Sequence, residues 1–235
     1  MTDTNTALSR VFCAIDTTDL DHAAGLAKRL GPGLGGVKLG LEFVNAHGPA
    51  GVRKVAEAGH PIFLDLKYHD IPNTVAGAVR AATGTCQPFM LNVHASGGRA
   101  MMEAARDAAA SAAHAAGTAK PLVIAVTVLT SLDDGDLTAV GQQGPAVEQV
   151  VRLARLTQDC GLDGIVCSAR EIAEKADPAV AAIASHFAGE IYGLTVLAEN
   201  IEDADHNTTR FLVLSPTEQL APNEGKVKTT FVFRV

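Results

Sequence analysis

Six apolar runs of strand length recur along residues 1–176, and stretches of helical periodicity separate them. The runs are Val11–Ile15, Gly36–Leu39, Ile62–Leu66, Phe89–Val93, Leu122–Leu129 and Gly164–Cys167. Between them, apolar residues recur at helical spacing over Asp19–Leu30, then from the second run to about Ala58. The same spacing continues from Pro72, over Arg99–Ala116, over Ala146–Cys160 and from about Arg170. Asp19 is suited to cap its helix and Pro72 to open one. The strand runs are continuously apolar rather than alternating, which predicts a parallel sheet covered on both faces. Six successive βα units predict an α/β protein, either a (β/α)8 barrel or a doubly wound sheet.

The rhythm changes after residue 178. Ala179–Tyr192 predicts a helix, and Leu194–Leu197, Thr209–Leu214 and Thr229–Val235 predict strands. No helical pattern lies between those strands. Parallel strands need a crossover of a dozen or more residues, whereas these gaps hold acidic and turn-forming residues. The tail therefore predicts α+β material after a six-strand barrel fragment.

Composition narrows the function classes. The chain has 235 residues, 47% of them apolar and 19% charged, with a formal net charge of −7. No basic run is interleaved with aromatics, so no nucleic acid is expected as a partner. No apolar stretch approaches spanning length, so no membrane is expected either. Residues 1–10 are polar and lack the apolar core of a secretory signal, which predicts a cytoplasmic protein. The four cysteines show no Cys-x-x-Cys spacing and predict reduced thiols. The eight histidines show no metal-site pattern, so no metal is expected. Gly31–Gly36 matches G-x-G-x-x-G literally, but it follows a helix and precedes a strand. It predicts a turn, not a dinucleotide loop.

The candidate chemistry sits in Phe63–Thr74, FLDLKYHDIPNT. Strand side chains alternate faces, so Asp65 and Lys67 point the same way, and Asp70 lies just beyond. Charged residues inside an apolar strand are rarely buried unless paired or functional. Asp16 and Lys38 close the first and second runs. His94 closes the fourth, and Thr130 and Ser131 close the fifth. Five consecutive strands thus end in polar groups on one rim, the face where parallel α/β proteins bind ligands.

These residues resemble a known family. Residues from about 8 to 172 resemble orotidine 5′-phosphate decarboxylase of the common bacterial type. FLDLKYHDIPNT is the most specific segment, joined by NVHASGG over 92–98, AVTVLTS over 125–131 and CGLDGIVCSA over 160–169. The resemblance implies a cofactor-independent carboxy-lyase that converts orotidine 5′-monophosphate to uridine 5′-monophosphate. It implies Lys67 as proton donor to pyrimidine C6 and Asp65 against the substrate carboxylate. Lys38 would hold Asp65 and contact the ribose, and Asp16 would bind a ribose hydroxyl. Thr130 and Ser131 would address the pyrimidine. Asp70, with Ile71 and Thr74, would reach the site of a partner subunit in a homodimer. The residue types suit the reaction: losing carbon dioxide from C6 leaves a carbanion outside the ring π-system, which an ammonium can stabilise electrostatically and then protonate. Carboxylates on both sides of that ammonium keep it protonated.

The resemblance stops before the end of the chain. The phosphate-gripping Thr-Pro-Gly-Ile-Arg-like and Gly-Arg-Pro-like segments expected after a seventh and an eighth strand are missing. Instead, 181–211 resembles the end of the prephenate dehydratase catalytic domain, with Thr209-Arg210-Phe211 as its Thr-Arg-Phe motif. Lys228–Phe233 resembles the first strand of the ACT domain that follows. The expected organisation is 1–178 as a partial TIM barrel and 179–235 as a dehydratase-like fragment, with the seam within 168–180. An alternative reading is a catalytically impaired chimera that binds nucleotide weakly or not at all. A role related to prephenate dehydratase is a third.

Overall fold

The computed structural model describes residues 11–31 and 33–166, together with four short strands at 182–184, 195–198, 212–215 and 229–230. The first six strands are β1 (Phe12–Ile15), β2 (Gly36–Gly40), β3 (Ile62–Tyr68), β4 (Met90–His94), β5 (Leu122–Val126) and β6 (Gly164–Val166). They pair in sequence order, each parallel to the next. The helices are α1 (Leu20–Arg29), α2 (Leu41–Ala56), α3 (Pro72–Cys86), α4 (Arg99–Ala116), α5 (Asp134–Ala139) and α6 (Ala146–Asp159). The result is six strands of an α/β barrel, with helices as the crossovers between parallel neighbours.

Local chemistry sets the helix ends. The Asp19 side chain accepts the His22 backbone N–H at 2.9 Å and caps α1. Pro72 opens α3, where a missing N–H costs nothing. Two details differ from the sequence expectation. The second helix is broken at Gly48, whose φ of 58° lies in the left-handed region just ahead of Pro49. The short α5 was not expected; a reciprocal capping box between Asp133 and Asp136 stabilises it locally.

The strands use their two faces differently. Ile15, Leu39, Leu64 and Val93 belong to a buried cluster with helix residues such as Val52, Val79 and Met101. Each such side chain, fully buried, contributes about 1.5–3 kcal/mol. Phe12, Phe63, Met90 and Ile124 form a second cluster on the opposite face. The Phe12 and Phe63 rings meet edge to face at 6.1 Å. Gly36 is required beside them: a Cβ there would lie 2.6 Å from the Phe12 ring and would also strike the Pro61 carbonyl. Because the side-chain period is two, the next inward positions are Lys38, Asp65, Asn92 and Val126. The barrel face is thus apolar at one end and charged at the other.

The tail does not extend this parallel order. Thr229–Thr230 (β10) pairs antiparallel with β1, Phe12 opposite Thr230. It lies on the edge of β1 opposite β2. β7 (Ala182–Ala184), β8 (Thr195–Ala198) and β9 (Leu212–Ser215) form a separate antiparallel sheet in the order β7-β9-β8. The helix expected over Ala179–Tyr192 is therefore corrected: Ala182–Ala184 is strand, because its backbone pairs with Leu212–Leu214. The helix expected from Arg170 and the Thr209-Arg210-Phe211 motif lie outside the described residues.

Candidate active site

The site is built where β3 leaves regular geometry. Leu64 pairs with Leu91 and Tyr68 with Val93, so β3 advances four residues while β4 advances two. The surplus residues bulge, and Asp65, Leu66 and Lys67 together face Asn92. Lys67 has a φ of 49°, rare for a residue with a side chain. Such conformations concentrate at functional sites, where the surroundings enforce them.

Four charged side chains converge there. Lys67 Nζ lies 2.7 Å from Asp65 Oδ1. Lys38 Nζ lies 3.3 Å from Asp65 Oδ2 and 3.5 Å from Asp16 Oδ1. Lys38 is buried and Asp65 nearly so, while Lys67 is part-exposed and Asp16 more open. The array thus runs from a buried ammonium to an accessible one. Burial pushes the Asp65 carboxyl upward, but Lys38, Lys67 and the hydrogen bonds from Lys67 and Asn92 outweigh it and hold it below its ordinary value. Asp65 is therefore a carboxylate at neutral pH.

Asn92 carries a role that motif reading missed. It is buried on β4. Its Oδ1 accepts the Lys67 backbone N–H at 2.7 Å, and its Nδ2 donates to Asp65 Oδ1 at 2.7 Å. The signal was available: an amide at an inward strand position is costly to bury unless it is hydrogen-bonded. His94, two residues on, stands 5.4 Å ring to ring from His69. Burial lowers the His94 pKa, and His69 and Lys67 lower it further, against a smaller opposing pull from Asp65.

The other predicted residues stand apart from this cluster. Asp70, Ile71 and Thr74 are exposed around the start of α3. Asp70 Oδ1 accepts the Ile71 N–H at 2.6 Å, and Ile71 is 67% exposed. Thr130 and Ser131 are exposed in a turn beyond β5. The fifth strand ends at Val126, not at Leu129, because β4 turns into a 3-10 helix at Ala95 after the His94–Val126 pair. Lys38 lies within β2 rather than at its end. An open groove of about 580 Å³ runs along α6 and contains none of the site residues.

Six parallel strands, each linked to the next through helix, with charged groups gathered toward their C-terminal ends are of the TIM-barrel type, whose active sites lie at that rim. The profile of the Orotidine 5'-phosphate decarboxylase / HUMPS family matches residues 9–222. The chain belongs to that family. It is 62% identical over 162 residues to the orotidine 5'-phosphate decarboxylase of Rhodospirillum rubrum, covering 68% of this chain and 65% of that one. It is 52% identical over 162 residues to the enzyme of that name from Novosphingobium aromaticivorans, covering 69% and 68%. The match thus spans under two thirds of the Rhodospirillum protein's length. Among solved structures, the orotidine 5'-phosphate decarboxylase of Lactobacillus acidophilus superposes with a TM-score of 0.62 at 34% identity, covering 70% of this chain and 73% of that one. A Geobacillus kaustophilus protein described as uncharacterized and conserved superposes with a TM-score of 0.62 at 41% identity, covering 69% and 75%.

Proposed function

We propose that the chain decarboxylates orotidine 5′-monophosphate to uridine 5′-monophosphate, a step of pyrimidine biosynthesis, without a cofactor. The observation that carries this reading is the Lys67–Asp65–Lys38 array, with Lys67 Nζ 2.7 Å from one Asp65 oxygen and Lys38 Nζ 3.3 Å from the other. The C6 carboxylate of the substrate lies against Asp65. The C6–carboxyl bond breaks, carbon dioxide leaves, and the electron pair stays on C6. The Lys67 ammonium stabilises that pair and transfers its proton to C6, giving the product; the neutral amine then takes a proton from water. Preorganised charge of this kind acts without reorganisation during the reaction. Asp16 and Lys38 bind the ribose, and Thr130 and Ser131 address the pyrimidine.

The same reading makes the active species a homodimer. Asp70, Ile71 and Thr74 are exposed at the start of α3, as residues serving a partner's site would be. Asp70 there completes the pair of carboxylates around the partner's proton donor. The organisation remains 1–178 as decarboxylase-type barrel and 179–235 as a tail similar to prephenate dehydratase. The reason for that seam is the break in the βα rhythm of the sequence after residue 178. The family profile runs further, to residue 222.

A second reading is a catalytically impaired chain that binds nucleotide weakly. The antiparallel β10 on β1 favours it, because a complete (β/α)8 barrel carries its eighth parallel strand there. Losing roughly two or three charge-assisted hydrogen bonds to phosphate, at about 1.5–3 kcal/mol each, slows the reaction about 10²- to 10⁶-fold.

The test is the loss of substrate absorbance with the purified full-length chain. The decarboxylase reading expects turnover, and expects Lys67→Ala to lower it by about 10²- to 10⁴-fold or more. A folded chain with no turnover supports the second reading instead.

A further inference from the structure

We infer that Asn92 is the positioning residue of this site: its amide clamps the β3 bulge and aims Asp65 and Lys67 together. The kinetic half of this inference rests on the decarboxylase reading; the structural half does not.

The bulge creates a problem that Asn92 solves. Where β3 advances four residues against two, its ladder to β4 is interrupted. A buried backbone N–H without an acceptor is costly. The Lys67 N–H finds the side-chain oxygen of Asn92 instead of a strand carbonyl, at 2.7 Å. Lys67 is also the residue at φ 49°, so the hydrogen bond falls on the one peptide of β3 that departs most from strand geometry. The other end of the same amide donates to Asp65 Oδ1 at 2.7 Å, the oxygen that also accepts from Lys67 Nζ. One planar group thus sets the backbone of the ammonium residue and the side chain of its carboxylate.

His94, the other polar side chain of β4, stands 5.4 Å ring to ring from His69, and the hydrogen bonds to the Lys67 N–H and to Asp65 from β4 both come from Asn92. The groups facing Asp65 are Lys38 from β2, Lys67 from β3 and Asn92 from β4, with His94 at longer range. Asn92 is the uncharged member, so it orients the carboxylate without changing the charge of the array. Its own position is secure: Asn92 pairs with Ile124 of β5 and is 1% exposed.

Two substitutions separate the halves of the clamp. Asn92→Ala removes both hydrogen bonds. Asn92→Asp keeps an acceptor for the Lys67 N–H, removes the donor to Asp65 and adds a like charge beside it. The first readout needs no substrate: hydrogen exchange of the Lys67 amide in the full-length chain. Asn92→Ala should speed that exchange at least 10-fold relative to the parent, while Asn92→Asp should leave it protected, as expected when a buried amide loses or keeps its acceptor. The second readout is the pH–rate profile. The Asp65 carboxylate is the form that pairs with Lys67, and the Asn92 hydrogen bond favours that form. Both variants should therefore lose activity at a higher pH than the parent on the acid side. Both should lower kcat about 10²-fold, the scale of a roughly 1 Å misplacement, with KM within about threefold. A Lys67 amide equally protected in the parent and in Asn92→Ala overturns the clamp. So does a parent-like kcat and acid limb in both variants. If the parent shows no turnover, the decarboxylase reading fails alone, and the exchange comparison still decides the clamp.

Discussion

At the residue scale the site depends on one unusual backbone angle. Lys67 sits at φ 49°, a conformation that costs a residue with a Cβ about 1–2 kcal/mol. Asn92 and the Asp65 ion pair hold it there. This makes a comparison of Lys67→Gly with Lys67→Ala informative, since both remove the ammonium and differ mainly in φ preference. The glycine variant should be the more stable by about 1 kcal/mol in urea unfolding. At an ordinary strand position the order reverses, because glycine costs about 0.5–1 kcal/mol relative to alanine. Finding alanine the more stable would show that the angle stores no strain. Sequence reading put Asp65 and Lys67 on one face by simple alternation. The outcome was right, but the cause includes a bulge that no periodicity reveals: β3 gains two residues on β4, so the parity survives while the geometry changes. Asn92 escaped for a related reason. An asparagine in an apolar run carries no charge, and only the bulge gives its amide something to do.

At the element scale, the βα rhythm was legible because each helix is amphipathic and each inner strand is apolar. α4 was expected at the bounds it has, Arg99–Ala116. Strand ends were less legible, as β5 shows: Thr127 to Leu129 continue the apolar pattern, but the ladder ends where β4 turns away at Ala95. Ends set by a neighbour's path leave no mark in their own sequence. The C-terminus of α3 offers a test of how local its own cap is. Gln87 caps it in left-handed geometry, φ 47° and ψ 53°, with its N–H on the Thr83 carbonyl. Glycine is the residue that this position favours. Gln87→Gly should raise stability by about 0.5–1 kcal/mol in thermal or urea unfolding, with no effect on any activity at the opposite rim. A loss of stability would mean that the exposed Gln87 side chain makes a contact worth more than the strain.

At the scale of the whole molecule, six parallel strands with their helices present a charged rim on an apolar base. The layers follow from one alternation: Phe12, Phe63 and Met90 below, Lys38, Asp65 and Asn92 above. This division was readable as polar residues near the ends of successive strands. The tail was readable only as a break in rhythm. Its strands pair antiparallel, three with one another and one with β1. Under the proposed function the rim array, with Lys67 as proton donor, performs the decarboxylation despite that tail. The most direct measurement is turnover of orotidine 5′-monophosphate by the full-length chain in deuterated water, with the product examined at C6. The expected result is uridine 5′-monophosphate carrying one deuterium at C6, formed by the parent and lost in Lys67→Ala. No product from a folded parent, or undiminished turnover in Lys67→Ala, would contradict it.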